Sequence, residues 1–315
     1  MICILPIAPS APPPRSNLNQ YSHSRLSCFE NCPKQFEYRY IQKIEIDTEG
    51  IEAFLGKRVH EILERLYHHV ARHRHPPSLA QVQERFRKDW RLHWHDKIEI
   101  VRKESPPDFY LQQGERCLEN YYRSEYPFDT GETVALEQRI SVQLDDEGQY
   151  LARGIIDRIT KRGDGAYEIH DYKTSGSLPQ RRRLDQDRQL GLYQIGLEQT
   201  FTDAKEVELI WHYMTFNRTI RSRRSVAQLD TLRAETIALI DKIEAADTFP
   251  AKPGPLCSWC GYREICPAYA GQDAETPGPV PVERRPTLAQ DGEPHPPEPV
   301  SSAAVSSGVQ LSLLD

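Results

Sequence analysis

The chain has 315 residues, 38% of them apolar and 27% charged, with a formal net charge of −6. That is enough for one large domain or two modest ones, and no run of eighteen apolar residues is present to cross a membrane. The charge does not announce a nucleic-acid binder, but it excludes none, because a basic groove can sit in an acidic chain.

Residues 1–20 hold five prolines and no periodicity, and are expected to form a flexible leader. The short apolar start lacks a preceding basic region and is interrupted by prolines, unlike a secretory signal, so a cytoplasmic protein is expected. In that compartment the seven cysteines belong to metal sites or to burial rather than to disulfides. "YSHSRLSCFENCPKQFEYRYI" opens with a capping-type serine and continues at helical spacing. A longer helix is expected over 51–73, where Leu55, Val59, Ile62, Leu63, Leu66 and Val70 make one apolar stripe. Residues 81–126 read as mostly helical, broken near "ESPPDF" by paired prolines. The period then changes. "TVALEQRISVQL", "YLARGIIDRITKR" and "AYEIHDYKT" read as strands separated by the turn signals "DDEG" and "GDG". A helix at about 184–199, a hairpin through "EVELIWHYMTFNRTIRSRRSV" and a helix at 226–247 follow. No internal repeat is visible. From residue 271 the chain is rich in proline and nearly free of aromatics, and is expected to stay disordered. The pattern predicts an α/β (α+β) domain over 21–270 with a mixed sheet flanked by helices and a helical insertion at about 75–127.

Within the third strand, "HDYK" sets Asp171 and Lys173 two places apart, hence on one face. Asp157, in "GIIDRI", lies on the preceding strand, and sequential antiparallel strands usually pair. Two neighbouring inward carboxylates repel unless a cation sits between them, and oxygen ligands suit Mg²⁺ or Mn²⁺. Lys173 beside them suits metal-assisted phosphodiester hydrolysis, by orienting or helping to deprotonate water or by offsetting phosphate charge. Alone, D-x-K is more often a surface ion pair. His60, at the border of the helical stripe one turn after Gly56, is by itself more often a half-buried histidine. Gln189 and Tyr193 are four apart and share a helix face.

Taken in order, G-x-x-x-H (Gly56, His60), G-x-x-D (Gly154, Asp157), D-Y-K (Asp171 to Lys173) and Q-x-x-x-Y (Gln189, Tyr193) resemble the RecB-type branch of the PD-(D/E)XK nuclease superfamily, over residues 21–270. The resemblance implies that His60, Asp157, Asp171 and the Tyr172 backbone carbonyl ligate a divalent metal. It makes Lys173 the catalytic lysine and places Gln189 and Tyr193 at the mouth of the site. Glu137 matches a commonly acidic position whose role stays open. The resemblance also favours an exonuclease on single-stranded DNA ends; the alternative is a non-catalytic DNA-binding or scaffold module of a repair complex.

"CSWCGYREICP" spaces Cys257, Cys260 and Cys266 as C-x2-C-x5-C, which needs a fourth ligand. The C-P-x-x-F-x-Y setting of Cys32 resembles the iron–sulfur nucleases of the AddB-like and CRISPR-associated kind. There, one N-terminal and three C-terminal cysteines hold a 4Fe–4S cluster. Cys32 is thereby assigned, Cys28 is left as a spare thiol, and structural zinc is the alternative. Such a cluster would staple the first helix to the last segment.

Arg181, Arg182 and Arg183 follow the D-Y-K strand, and Arg221, Arg223 and Arg224 lie on the hairpin; either run suits phosphate contact, the first more so by its position. "GIEAFLGKR" imitates a nucleotide-binding loop, but its glycine spacing is off by one and Arg58 stands where Mg²⁺ binding needs Ser or Thr. A separate helicase is therefore expected as the motor. The C-terminal "QLSLLD" places Gln310, Leu311, Leu313 and Leu314 at the end of a polar tail, resembling the short peptides that bind the bacterial sliding clamp.

Overall fold

The computed structural model describes residues 20–73 and 75–269. In chain order the elements begin with β1 (Tyr21–Ser22), α1 (His23–Asn31), α2 (Pro33–Phe36), β2 (Glu49–Gly50), α3 (Ile51–His73), α4 (Leu79–His93), β3 (Ile98–Glu99) and α5 (Pro107–Glu125). They continue with β4 (Glu132–Gln143), β5 (Leu151–Gly163), β6 (Ala166–Lys173), α6 (Arg181–Asp185), α7 (Arg188–Thr200), β7 (Glu206–Tyr213), β8 (Arg218–Ser222) and α8 (Val226–Glu244). The mixed α/β architecture agrees with the expectation. The leader over 1–19, the tail from 270 and the clamp-type peptide lie outside the described residues.

The sheet runs β1-β5-β6-β7-β8, with β4 on the other edge of β5. β4, β5 and β6 are antiparallel neighbours, whereas β6 and β7 are parallel. A parallel link needs a crossover, which α6 and α7 supply. One core lies between the sheet and α1, α7 and α8. A second lies under α3, α4 and α5 and takes in Tyr172 and Met214.

Local chemistry sets the boundaries. Pro33 keeps the preceding Cys32 extended, at φ −157°, so the N-terminal helical stretch breaks there. The expected helix at 184–199 is two helices, because the Asp187 carboxylate accepts from Leu190 N and caps α7 afresh. α4 and α8 each begin with a capping box, Ser78 with Gln81 and Ser225 with Gln228. α4 stops at His93, well before the paired prolines, and the intervening segment gives β3 to a two-stranded ribbon with β2 that the sequence pattern did not show.

The long strands change phase in mid-course. On β4, Leu136 packs against the α3 side, yet Ile140 and Val142 enter the α7 side. On β5, Ile156 and Ile159, three apart, enter the same core. Regular alternation forbids both. The slip falls at Glu137, whose φ of +45° is left-handed, and at Asp157. Irregularities of this kind re-aim side chains. Here they turn one acidic residue on each strand toward the seam between α3 and α7.

Candidate active site

Three elements meet at that seam. The β5–β6 register pairs Arg158 with His170, and extending it by one residue brings Asp157 beside Asp171. The Asp157 carboxylate accepts from Tyr172 N at 2.8 Å. His60 enters from the middle of α3; its Nε2–H donates to the Tyr172 carbonyl at 2.9 Å, and its Nδ1 lies 3.4 Å from Asp157 Oδ1. His60, Glu137 and Asp157 each offer a ligand atom within 4.8 Å of the others, the one such group among the described residues. A cavity of about 460 Å³ opens in front, lined by Gly56, Lys57, His60, Glu61, Glu64 and Glu137.

Asp171 is buried, and its Oδ2 lies 2.6 Å from Lys173 Nζ without a well-directed hydrogen bond. Lys173 Nζ also donates to Gln189 Oε1 at 3.2 Å, and Gln189 Nε2 donates to Tyr193 OH at 3.1 Å. Gln189, and Tyr193 through it, therefore stand beside the lysine. Gly154 makes room for it, since a Cβ there would lie 2.3 Å from the Tyr193 ring.

The electrostatics are those of crowded anions. Burial, then the nearby Asp157, push Glu137 up to about 7. Burial raises Asp171 to about 6, with Asp157 adding to the effect and Lys173 opposing it. Burial works against a charged His60, but Asp157 and then Asp171 outweigh it and raise the imidazole to about 9. Burial likewise opposes the Lys173 ammonium, and Asp171 more than restores it. Excess carboxylate, one imidazole and an under-bonded buried oxygen make a donor set that fits Mg²⁺ or Mn²⁺. Two neighbouring ligands about 2.1 Å from an octahedral ion sit about 3.0 Å apart. The 2.9 Å between His60 Nε2 and the Tyr172 carbonyl is compatible with both serving as ligands.

Glu137 is the residue whose role the sequence left open. Its spacing before Asp157 was readable; the left-handed backbone that aims it at His60 was not.

The arginine runs are engaged differently. Arg181, exposed, donates to the Arg221 carbonyl and pairs with Asp185; Arg182 and Arg183 are exposed. Arg221 pairs with Glu168 and Glu208, Arg223 with Glu206 and Glu208, and Arg224 donates to Ser222 Oγ and the Leu184 carbonyl. The hairpin arginines thus hold β8 and α6 in place.

Cys32, Cys257, Cys260 and Cys266 line one cavity of about 300 Å³, although Cys32 is more than 220 residues from the others. Tyr38 OH donates to the Ile265 carbonyl and Tyr262 OH to the Ile44 carbonyl, closing the same junction. Lys252 N and Gly254 N point at the Cys32 and Cys257 sulfurs, at 3.5 and 3.3 Å. No three of these sulfurs lie within 4.8 Å of one another, so the described cysteines do not form a tight thiolate group. Cys28 is buried in the sheet's core and does not line that cavity.

A mixed sheet that sets an aspartate and a D-x-K strand beside a helical histidine defines a nuclease-type centre. The model for the PD-(D/E)XK nuclease superfamily matches residues 20–267. The chain belongs to that superfamily. No curated protein matches the chain. Among solved structures, a protein from Eubacterium rectale named as a candidate exonuclease is 12% identical with a TM-score of 0.47, over 83% of this chain and 91% of that one. SSO0001 is 17% identical with a TM-score of 0.29, over 68% of this chain and 94% of its own. No described helix is long and apolar enough to cross a membrane.

Proposed function

We propose that the chain is a Mg²⁺- or Mn²⁺-dependent deoxyribonuclease of the RecB-type branch, an exonuclease acting on single-stranded DNA ends in repair, recombination or replication. The observation that carries this reading is the convergence of His60, Glu137 and Asp157 next to the Asp171–Lys173 pair. His60, Asp157, Asp171 and the Tyr172 carbonyl would hold the cation, with Glu137 in reach. When bound, the ion acts as a Lewis acid on a phosphoryl oxygen. Lys173 sets a positive charge where the phosphate gains negative charge in the transition state. Gln189 holds that ammonium in place, and the Tyr193 hydroxyl holds Gln189 in turn. Exposed Arg182 and Arg183 suit phosphates leading away from the site.

The four cysteines suit a 4Fe–4S cluster better than zinc. A tetrahedral zinc with sulfurs about 2.3 Å away would need them packed tightly together. A cluster interposes its own iron and sulfide atoms, and the wider setting around a cavity leaves room for them. Gln310 through Leu314 would bind a sliding clamp, and a separate helicase would feed the nuclease.

Anaerobic purification with metal analysis, then digestion of end-labelled single- and double-stranded DNA and RNA with Mg²⁺ or Mn²⁺, tests the reading. The expected result is iron with visible absorbance, and cleavage from DNA ends. DNA binding without cleavage under either metal would replace it with the scaffold role. Cys257→Ser should lose the iron, whereas Cys28→Ser should keep it.

A further inference from the structure

Behind the catalytic face, a second set of polar groups is sealed into the protein. Arg158, the residue after Asp157, is 2% exposed. Its guanidinium lies over the Tyr67 ring, 4.1 Å from the centroid. One of its nitrogens donates to His170 Nδ1 at 3.0 Å. Its nearest carboxylate, Glu125, is 3.8 Å away. Tyr67 OH and Tyr121 OH are 2.6 Å apart, and Tyr121 OH donates to Tyr172 OH at 3.3 Å. The proton arrangement follows from the donors. Arginine only donates, so His170 Nδ1 accepts; the His212 Nε2–H then also points at it, at 2.9 Å. His170 Nε2–H faces Thr160 Oγ1, which donates to Glu168 Oε2.

We propose that Arg158, acting through Tyr67, Tyr121 and Tyr172, is a positioning group that sets the spacing of the cation ligands. The proposal rests on reading the site as a divalent-cation centre. A single residue, Tyr172, links the two faces. Tyr172 N–H orients the Asp157 carboxylate, the Tyr172 carbonyl orients His60, and the Tyr172 side chain is clamped in the nest behind. The Tyr172 ring also meets the His60 ring edge-on, with centroids 5.7 Å apart. The elements tied together are those that bear the site. Tyr67 shares α3 with His60, Arg158 follows Asp157 on β5, and Tyr172 stands between Asp171 and Lys173 on β6.

Stability alone accounts poorly for this arrangement. Arg158 Nε is buried without a hydrogen-bond partner, which costs free energy. Replacing buried ionic groups by apolar ones of similar volume is often neutral or stabilising. A fixed planar fork gives something an apolar side chain does not, a defined rotamer for the tyrosine behind the ligand peptide. Groups that orient metal ligands typically change metal affinity by about 10–100-fold when removed.

The test is Mn²⁺ titration of the full chain without DNA, by calorimetry and by electron paramagnetic resonance of free Mn²⁺, with the melting temperature measured in parallel. Arg158→Met should bind Mn²⁺ about 10–100-fold more weakly while folding normally. Tyr121→Phe removes one hydroxyl and little volume; it should weaken binding several-fold, and it keeps the test decisive if Arg158→Met fails to fold. Wild-type affinity in Tyr121→Phe and in folded Arg158→Met overturns the positioning role and leaves the cation site standing. A wild-type protein that takes up no Mn²⁺ overturns both.

Discussion

The two faces of β6 obey opposite rules. Residues 168, 170 and 172 point to a side where nearly every donor meets an acceptor: Glu168 is held by Thr160, Arg162 and Arg221, and His170 by Arg158 and His212. Residues 171 and 173 point to a side where carboxylates outnumber cations and a buried oxygen lacks a directed hydrogen bond. One strand thus carries a nearly closed network on one face, with Arg158 Nε left over, and an excess of carboxylate on the other. Folding alone favours the first arrangement. The second persists where a ligand completes it, and that contrast marks the functional face more sharply than the D-x-K tripeptide does.

The largest expected effects come from the deficient face. Lys173→Ala and Asp157→Asn should each lower DNA cleavage by about 10²–10⁴-fold in Mn²⁺, measured on end-labelled substrate. Asp157→Asn should at the same time leave the metal-free protein as stable as wild type or more so, because it removes one of three crowded carboxylates. A variant that loses activity and stability together would indicate that Asp157 serves packing instead. Next in size is the effect of the metal itself. At 100 times its dissociation constant, Mn²⁺ should stabilise the wild type by about 2.7 kcal/mol, read as a rise in melting temperature. Chelator should reverse that rise, and Asp157→Asn should not show it.

The closed face predicts acid sensitivity. Burial, then His170 and Arg158, hold His212 well below the ordinary histidine value. Glu168 is held below the ordinary carboxylate value: burial opposes this, but His170, Arg221 and Thr160 outweigh it. In both cases the unfolded chain binds more protons as pH falls. Stability should therefore decline below about pH 6.5 through His212, and further below about pH 4.5 through Glu168, by about 1.4 kcal/mol per pH unit for each proton. Denaturant midpoints from pH 7 to 4 check this. His212→Gln should flatten the upper part of the curve; an unchanged slope would place the titration elsewhere.

How much of this was legible beforehand follows from periodicity. α3 matches its apolar stripe residue for residue, Ile51 to His73, because a 23-residue amphipathic helix has little competition. Asp171 and Lys173 could be set on one face because a strand alternates; Asp157 was legible from the pairing of neighbouring strands, although its aim depends on the slip in β5. Gln189 and Tyr193 were legible as a pair four apart on a helix. The β2–β3 ribbon was not, since two-residue strands carry no pattern. Nor was the phase slip in β4, which falls at Glu137 with its left-handed backbone, or the matching slip in β5. Composition also did not reveal that Glu206 and Glu208 on the neighbouring strand pair with the arginines of the basic hairpin.

The smallest expected effect is also the most discriminating for the deficient face. Glu137 holds a left-handed backbone, φ +45°, which costs a residue with a Cβ about 1–2 kcal/mol. Glu137→Ala removes the carboxylate but keeps that strain; Glu137→Gly removes both, at an entropic cost of about 0.5–1 kcal/mol. The glycine variant should therefore be more stable than the alanine variant by about 0.5–1 kcal/mol, measured by urea denaturation in chelator. Both should bind Mn²⁺ more weakly than wild type, and equally so, if the carboxylate reaches the ion. Should the alanine variant retain wild-type affinity, the left-handed kink would have to be explained by aiming Asp157 and His60 alone. Should alanine and glycine prove equally stable, the irregular course of β4 would be costless, and the contrast between the two faces would rest on the buried carboxylates only.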